Sequence, residues 1–236
     1  MDAARVKQYL LSHQKRTDVD ENVFAGIEPV DCGYYYHLES ASELYKNFTQ
    51  IDVYADKFVC KSGCRGHKDN KLNEFINCPI LEKNCVYVVD DITYKTDFAG
   101  RVCTVETVFP INEDIERRPS GGKEIRKCLK RKSALEKDEA GHLISREKKG
   151  PNEAINIVPM DKALNRGLYK YVDMFLSQFD GCAIVWKEVL HYEGDSLRPT
   201  YFEISCFVDD SCVIEAKLIN SKPNTGSSTH IIQIHQ

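Results

Sequence analysis

In the C-terminal half of this 236-residue chain, one stretch carries the 3.6-residue period of a helix packed on a core. Leu164, Leu168, Tyr171, Val172, Phe175, Leu176 and Phe179 recur at that spacing. Residues 162–179 are therefore expected to form a long amphipathic helix, with Asp161 as N-cap and Gly181 as stop. The flanking sequence is β-prone. Gly100 to Phe109 alternates Val102, Thr104, Glu106 and Val108 with Arg101, Cys103, Val105 and Thr107, and is rich in β-branched residues. Strands are also expected at Cys85–Val89, Thr93–Thr96, Gly141–Ser145, Ile155–Pro159, Ala183–Tyr192, Thr200–Val208 and Cys212–Leu218. A helix of this length among strands joined by short turns gives an α+β fold built on an antiparallel sheet.

Apolar residues make up 42% of the chain and charged residues 29%, enough to bury a real core. The longest apolar runs, Cys85–Val89 and Cys182–Trp186, span five residues, and a membrane helix needs roughly 20. Met1 to Leu11 carries Asp2, Arg5 and Lys7 and no apolar core, so no signal peptide is expected. That leaves a cytoplasmic location or export by a specialised route. Arg5–His13 reads as a short helix. Three regions are expected: an N-terminal region of unknown role (1–84), a folded domain (85–220) and a polar tail (221–236).

The formal charge of −4 is unevenly spread. Between Arg117 and Lys149 twelve Lys/Arg face five Asp/Glu, a local +7 against −11 elsewhere. Such a concentration suits an anionic partner, and a solvated basic loop is the bland alternative. Ten cysteines are many for a chain with no expected leader. Cys60, Cys64, His67, Cys78 and Cys85 offer ligands for a structural zinc ion. Their spacing matches no regular finger, so buried free thiols or disulfides are the preferred reading.

His142 lies on an expected strand, and Asn165 lies near the start of the expected helix. A neutral imidazole can take a proton at neutral pH, and an amide oxygen is a hard, uncharged ligand suited to Mg²⁺. Placed on opposite sides of one phosphorus, the two could serve phosphodiester hydrolysis. Each residue alone is weak evidence.

In combination, Asp138-x-x-Gly-His-Leu-Ile144, Asn156-Ile-Val-Pro-Met160 and Leu164-Asn-Arg-Gly167 resemble a known family. It is the DNA/RNA non-specific endonuclease family of the ββα-metal (His-Me finger) nucleases, and within it the nuclease modules of bacterial toxins. Tyr94–Val102 resembles the family's entry strand, and Arg198–Phe202 its closing hairpin. The likeness covers roughly residues 85–220.

The resemblance implies a ββα-metal finger embedded in the sheet, and cleavage of DNA and RNA with little sequence preference. It implies His142 as general base, Asn165 as direct ligand of Mg²⁺ (or Mn²⁺), and Asp173 as partner of metal-bound water. It implies Asn156 as a site-shaping residue beside the metal. Glu139 falls on the first residue of the family's Asp-Arg-Gly-His motif. Ala140 replaces that motif's arginine, and Arg146, Lys148, Lys149 or Arg166 are candidates to compensate. Arg126, Lys127, Lys130, Arg131, Lys132, Arg146 and Arg166 are the expected nucleic-acid contacts, binding phosphates rather than base edges. A toxin role would bring an inhibitor or immunity protein as partner. The competing reading is a nucleic-acid-binding protein that keeps the fold with little or no catalysis, favoured by Ala140 and by Asp173 standing for a glutamate.

Overall fold

A computed structural model describes residues 57–60, 74–109, 129, 132, 134–179, 182–220 and 230–235. The fold is a mixed α+β structure dominated by one eight-stranded sheet. Its strands are β1 (Lys57–Cys60), β2 (Val86–Val89), β3 (Ile92–Thr96), β4 (Val102–Phe109), β7 (Ile184–Tyr192), β8 (Pro199–Val208), β9 (Ser211–Ile219) and β10 (Ile231–Ile234), adjacent in that order. All neighbours pair antiparallel except β1 with β2. Two hairpins share one turn chemistry. Asp90-Asp91 joins β2 to β3 and Asp209-Asp210 joins β8 to β9, all four with positive φ of 46° to 70°. Two left-handed residues match the strand twist, and Asp tolerates that conformation.

Between the adjacent strands β4 and β7 the chain makes an excursion. It contains a two-stranded antiparallel ribbon, β5 (Asp138–His142) with β6 (Ile157–Asp161), followed by two helices. These are α1 (Lys162–Arg166) and α2 (Leu168–Phe175), with a 3-10 turn at Leu176–Gln178. The expected single helix over 162–179 is thus two short ones. Gly167 leaves helical dihedrals (φ −105°, ψ −113°), capping α1 and opening α2. Glycine gains least from helix continuation among non-proline residues, so the break falls there. Asp161 caps α1 as expected, its carboxylate accepting from Ala163 N (2.8 Å) and Leu164 N (3.2 Å).

The buried stripe of α2 (Leu168, Tyr169, Val172, Phe175) packs on the sheet face formed by Trp186, Phe202, Ile204 and Cys206. Tyr169 meets Phe202 edge-on at 5.6 Å between ring centroids. The ribbon is tied to the sheet by polar groups. Arg198, at the entry to β8, grips Asp138 with Nε (2.7 Å) and Nη2 (2.9 Å). The fully buried Asn220 donates to the carbonyls of Pro159 (2.9 Å) and Pro199 (2.8 Å), and its oxygen accepts from Asp161 N (2.7 Å).

Two regional expectations change. Ile76 and Leu81 lie in the same core as β2, and β1 pairs with β2, so the core extends beyond the expected edge at residue 85. The expected polar tail contains β10, whose Ile232 is fully buried. Cys60 is half-buried on β1, Cys78 is exposed, and the buried Cys85 donates to the Lys83 carbonyl at 3.1 Å. These three gather into no metal cluster among the described residues, while Cys64 and His67 lie outside them. The Arg5–His13 segment also lies outside. Among the described residues no helix is long and apolar enough to cross a membrane.

Candidate active site

His142 ends β5 and is half-buried. Gly141 precedes it because β5 lies close over β6: a Cβ there would approach the Met160 side chain to 2.7 Å. The imidazole Nε2 lies 3.3 Å from Asn152 Oδ1, and the Ala140 carbonyl also hydrogen-bonds the ring. Burial pushes the His142 pKa below its ordinary 6.5, and the nearby Arg146 charge pushes it the same way. The two hydrogen bonds oppose that shift without cancelling it. At neutral pH the ring is therefore neutral. One nitrogen carries the proton and donates it to a protein oxygen, and the other keeps a lone pair, which a general base requires.

Asn165, on α1, borders the same cleft of about 370 Å³ as His142. The other walls include Ala140, Ser145, Arg146, Tyr169, Lys170 and Asp173. The Asn165 amide nitrogen donates to Glu139 Oε2 at 3.1 Å. This orients the amide, and among the described residues Asn165 Oδ1 accepts no hydrogen bond. An uncharged hard oxygen in a polar cleft beside a neutral imidazole fits a divalent ion such as Mg²⁺.

The remaining expected residues divide. Glu139 is committed to Arg166, which binds it through Nε (2.9 Å) and Nη2 (2.5 Å). That bond holds the Glu139 carboxyl below its ordinary range, with Asn165 adding to the effect, so Glu139 is a fixed anion that orients Asn165. Arg166 is correspondingly engaged. Asp173 borders the cleft, but its carboxylate is paired with the Lys148 ammonium, which also donates to the Asp173 carbonyl at 2.8 Å. This pairing removes Lys148 from the candidate phosphate contacts and neutralises Asp173.

Asn156, expected to shape the site beside the metal, lies behind the cleft wall rather than on it. It is fully buried and does not line the cleft. Its oxygen accepts from Tyr94 Oη and Ile144 N, each at 3.0 Å, and its nitrogen donates to the Ile144 and Pro151 carbonyls, each at 2.9 Å. It pins the loop that follows His142. Lys132 is a correction. It is buried, and its ammonium donates to the carbonyls of Ala154 (2.6 Å) and Ile157 (2.8 Å), so it braces β6 rather than meeting phosphate. Arg126, Lys127, Lys130 and Arg131 lie outside the described residues. Arg146 is the expected compensating cation that reaches the cleft, and Lys170 joins it unforeseen. Asn152 and Tyr169 were also missed. Tyr169 stands four residues from Asn165 within the segment expected to be one helix, although the break at Gly167 puts them on separate helices, and Asn152 sits in the turn that returns the chain toward His142.

Among solved structures the chain is similar to NucA from Streptococcus agalactiae, determined without metal (13% identity, TM-score 0.42) and with magnesium bound (11% identity, TM-score 0.40). Each match covers 61% of this chain, and 78% and 79% of NucA respectively. It is also similar to the Sda1 nuclease with a bound zinc ion (15% identity, TM-score 0.40), covering 56% of this chain and 75% of that one. Residues 83–209, more than half of the chain, match the family described as DNA/RNA non-specific endonuclease, and the protein belongs to that family of nucleic-acid hydrolases.

Proposed function

We propose that this endonuclease hydrolyses DNA and RNA phosphodiester bonds in a Mg²⁺-dependent reaction centred on His142 and Asn165. The observation that carries the proposal is the convergence of the neutral imidazole and the Asn165 amide on one cleft. His142 takes the proton of the attacking water. Asn152 and the Ala140 carbonyl keep the ring oriented for that transfer. Asn165 Oδ1 would be the direct protein ligand of the ion, with the amide oriented by Glu139. Mg²⁺ would supply charge neutralisation at the phosphoryl and departing 3′ oxygens. Arg146 and Lys170 face the anionic backbone and carry no base-specific geometry, in keeping with non-specific cleavage.

The test is degradation of plasmid DNA and of RNA by the full chain with Mg²⁺, with Mn²⁺ and with EDTA. Activity should vanish in EDTA. His142→Ala should lower kcat by roughly 10²–10⁴-fold, the usual contribution of a general base. Asn165→Ala should raise the Mg²⁺ concentration needed for half-maximal rate. Equal cleavage by wild type and His142→Ala would refute the assignment. Salt-sensitive binding without products would favour the non-catalytic reading, to which the neutralised Asp173 lends support. A toxin payload role rests on the motif resemblance. It predicts that expressing the wild type, but not His142→Ala, arrests the growth of a bacterial host.

A further inference from the structure

Away from the cleft, the C-terminal strands bring together three side chains of different ligand chemistry. Cys212 Sγ, a Glu215 carboxylate oxygen and a His235 ring nitrogen all lie within 4.8 Å of one another. Cys212 and Glu215 belong to β9, and His235 directly follows β10. In a regular strand, residues three apart point to opposite faces. Here a bulge intervenes: Ile214 pairs with Cys206, but Cys212 pairs with Phe207, leaving Val213 as the extra residue. Cys212 therefore shares a face with Phe207, and Glu215 shares it with Ser205, opposite the face that carries Phe202, Ile204 and Cys206 beneath α2. Gln233 pairs with Glu215, so His235, two residues further, emerges on that same face. Its backbone N–H is held by the Val213 carbonyl at 3.1 Å.

We propose that Cys212, Glu215 and His235 form a second metal site, for one Zn²⁺ ion, that clasps the edge strand β10 to β9. Thiolate, imidazole and carboxylate are the three protein ligand types of zinc, at about 2.0–2.3 Å from the ion. Tetrahedral geometry at those bond lengths puts ligand atoms roughly 3.3–3.8 Å apart, and His235 Nε2 already stands 3.1 Å from Glu215 Oε2. An ordinary ion pair would account for His235 and Glu215. It would not account for the bulge that turns Cys212 to face them. The thiolate selects a borderline-soft ion and the cleft offers a hard oxygen, so the two sites differ in metal preference. Water takes the fourth position, because His235 is exposed. This proposal is independent of the catalytic reading.

The test uses the full chain, freed of metal with a chelator and then titrated with Zn²⁺ and, as a spectroscopic probe, Co²⁺. Cys212→Ser and His235→Gln should each bind one equivalent less zinc than wild type. Cys212→Ser should also lose intensity in the thiolate-to-Co²⁺ charge-transfer band. Cys182→Ser, at a half-buried cysteine away from the site, should keep the wild-type stoichiometry. Nuclease activity in Mg²⁺ should be unchanged in all three, which reports that the fold is intact. If both site variants retain the wild-type stoichiometry and band, the site is refuted. Should a variant fail to fold, anomalous difference density at the zinc edge in wild-type crystals decides. A peak bonded to Cys212 Sγ supports the site, and no peak there overturns it.

Discussion

The Tyr169 hydroxyl has one proton and two close oxygen neighbours, the Leu143 carbonyl at 2.9 Å and Glu188 Oε1 at 2.8 Å. It can donate to only one of them. If it donates to Leu143, the second contact needs a proton from Glu188, and Glu188 Oε2 then accepts from Trp186 Nε1 at 3.3 Å. Burial has the same consequence, pushing the Glu188 pKa up to about 8 against the bonds from Tyr169 and Trp186. The chain Glu188, Tyr169, Leu143 thus fixes the backbone next to His142 with a carboxylic acid. A carboxyl whose pKa is raised in the folded state contributes stability that is full below the unfolded value of 4.5 and lost as pH rises through about 8. Gln has the hydrogen-bonding pattern of the neutral acid. Glu188→Gln should therefore keep activity and abolish the decline of the urea midpoint over that window; a variant curve parallel to wild type would refute the protonated acid. His142 has the opposite sign. Its depressed pKa means that stability is lost as pH falls through the unfolded value of 6.5. The acid limb of kcat/KM should lie below that value. Because the Arg146 charge contributes to the depression, Arg146→Gln should move the limb toward higher pH, and an unmoved limb would remove Arg146 from the electrostatics of the base.

At the scale of elements, the ribbon and the two helices divide their labour. Short α1 carries Asn165, and α2 carries the apolar stripe that anchors the unit to the sheet. Lys132 serves the ribbon, its ammonium spanning the carbonyls at either end of the 3-10 turn at Ala154–Asn156. Lys132→Met should cost about 1.5–3 kcal/mol for each charge-assisted bond lost, read from the unfolding midpoint. It should leave the salt dependence of DNA binding unchanged; a shallower salt slope would return Lys132 to the phosphate contacts. The sequence showed this residue only as one cation in a basic run, because charge counting does not distinguish a solvated ammonium from one turned inward. The strands were legible wherever β-branched alternation was long, as in β4, β7, β8 and β9. β1 and β10 were not, because four residues among Cys-, Lys- and Ser-rich neighbours carry too little period. Motif order pointed to the two residues, His142 and Asn165, that border one cleft. The four-bonded burial of Asn156 and the capture of Asp173 by Lys148 were not, since both depend on residues brought together by the tertiary fold.

Across the whole molecule, the excursion that carries His142 and Asn165 is held on the sheet by a few buried polar links as well as by apolar packing. Arg198 is the principal one. It grips both Asp138 oxygens, and its Nη1 donates to the Asn220 carbonyl, while Asn220 bridges β6 and β8. The Asp138 and Arg198 side chains are only 3% and 10% exposed, so removing the guanidinium strands a buried carboxylate. Breaking such a pair costs about 3–5 kcal/mol, more than an exposed pair would. Trp186, Phe202 and Leu218 share one core with the excursion, but the strands of the sheet are also paired with one another along their length, and the sheet should survive the loss. Arg198→Ala should consequently loosen the ribbon before the sheet. Amides of β5 and β6 should exchange with solvent faster than in wild type while those of β7 and β8 stay protected. Activity should fall with the ribbon, because His142 is its last residue on β5. If ribbon and sheet lose protection together in the variant, the excursion and the sheet form one cooperative unit, and the division of the molecule into a rigid platform and a tethered ribbon-and-helix finger is wrong.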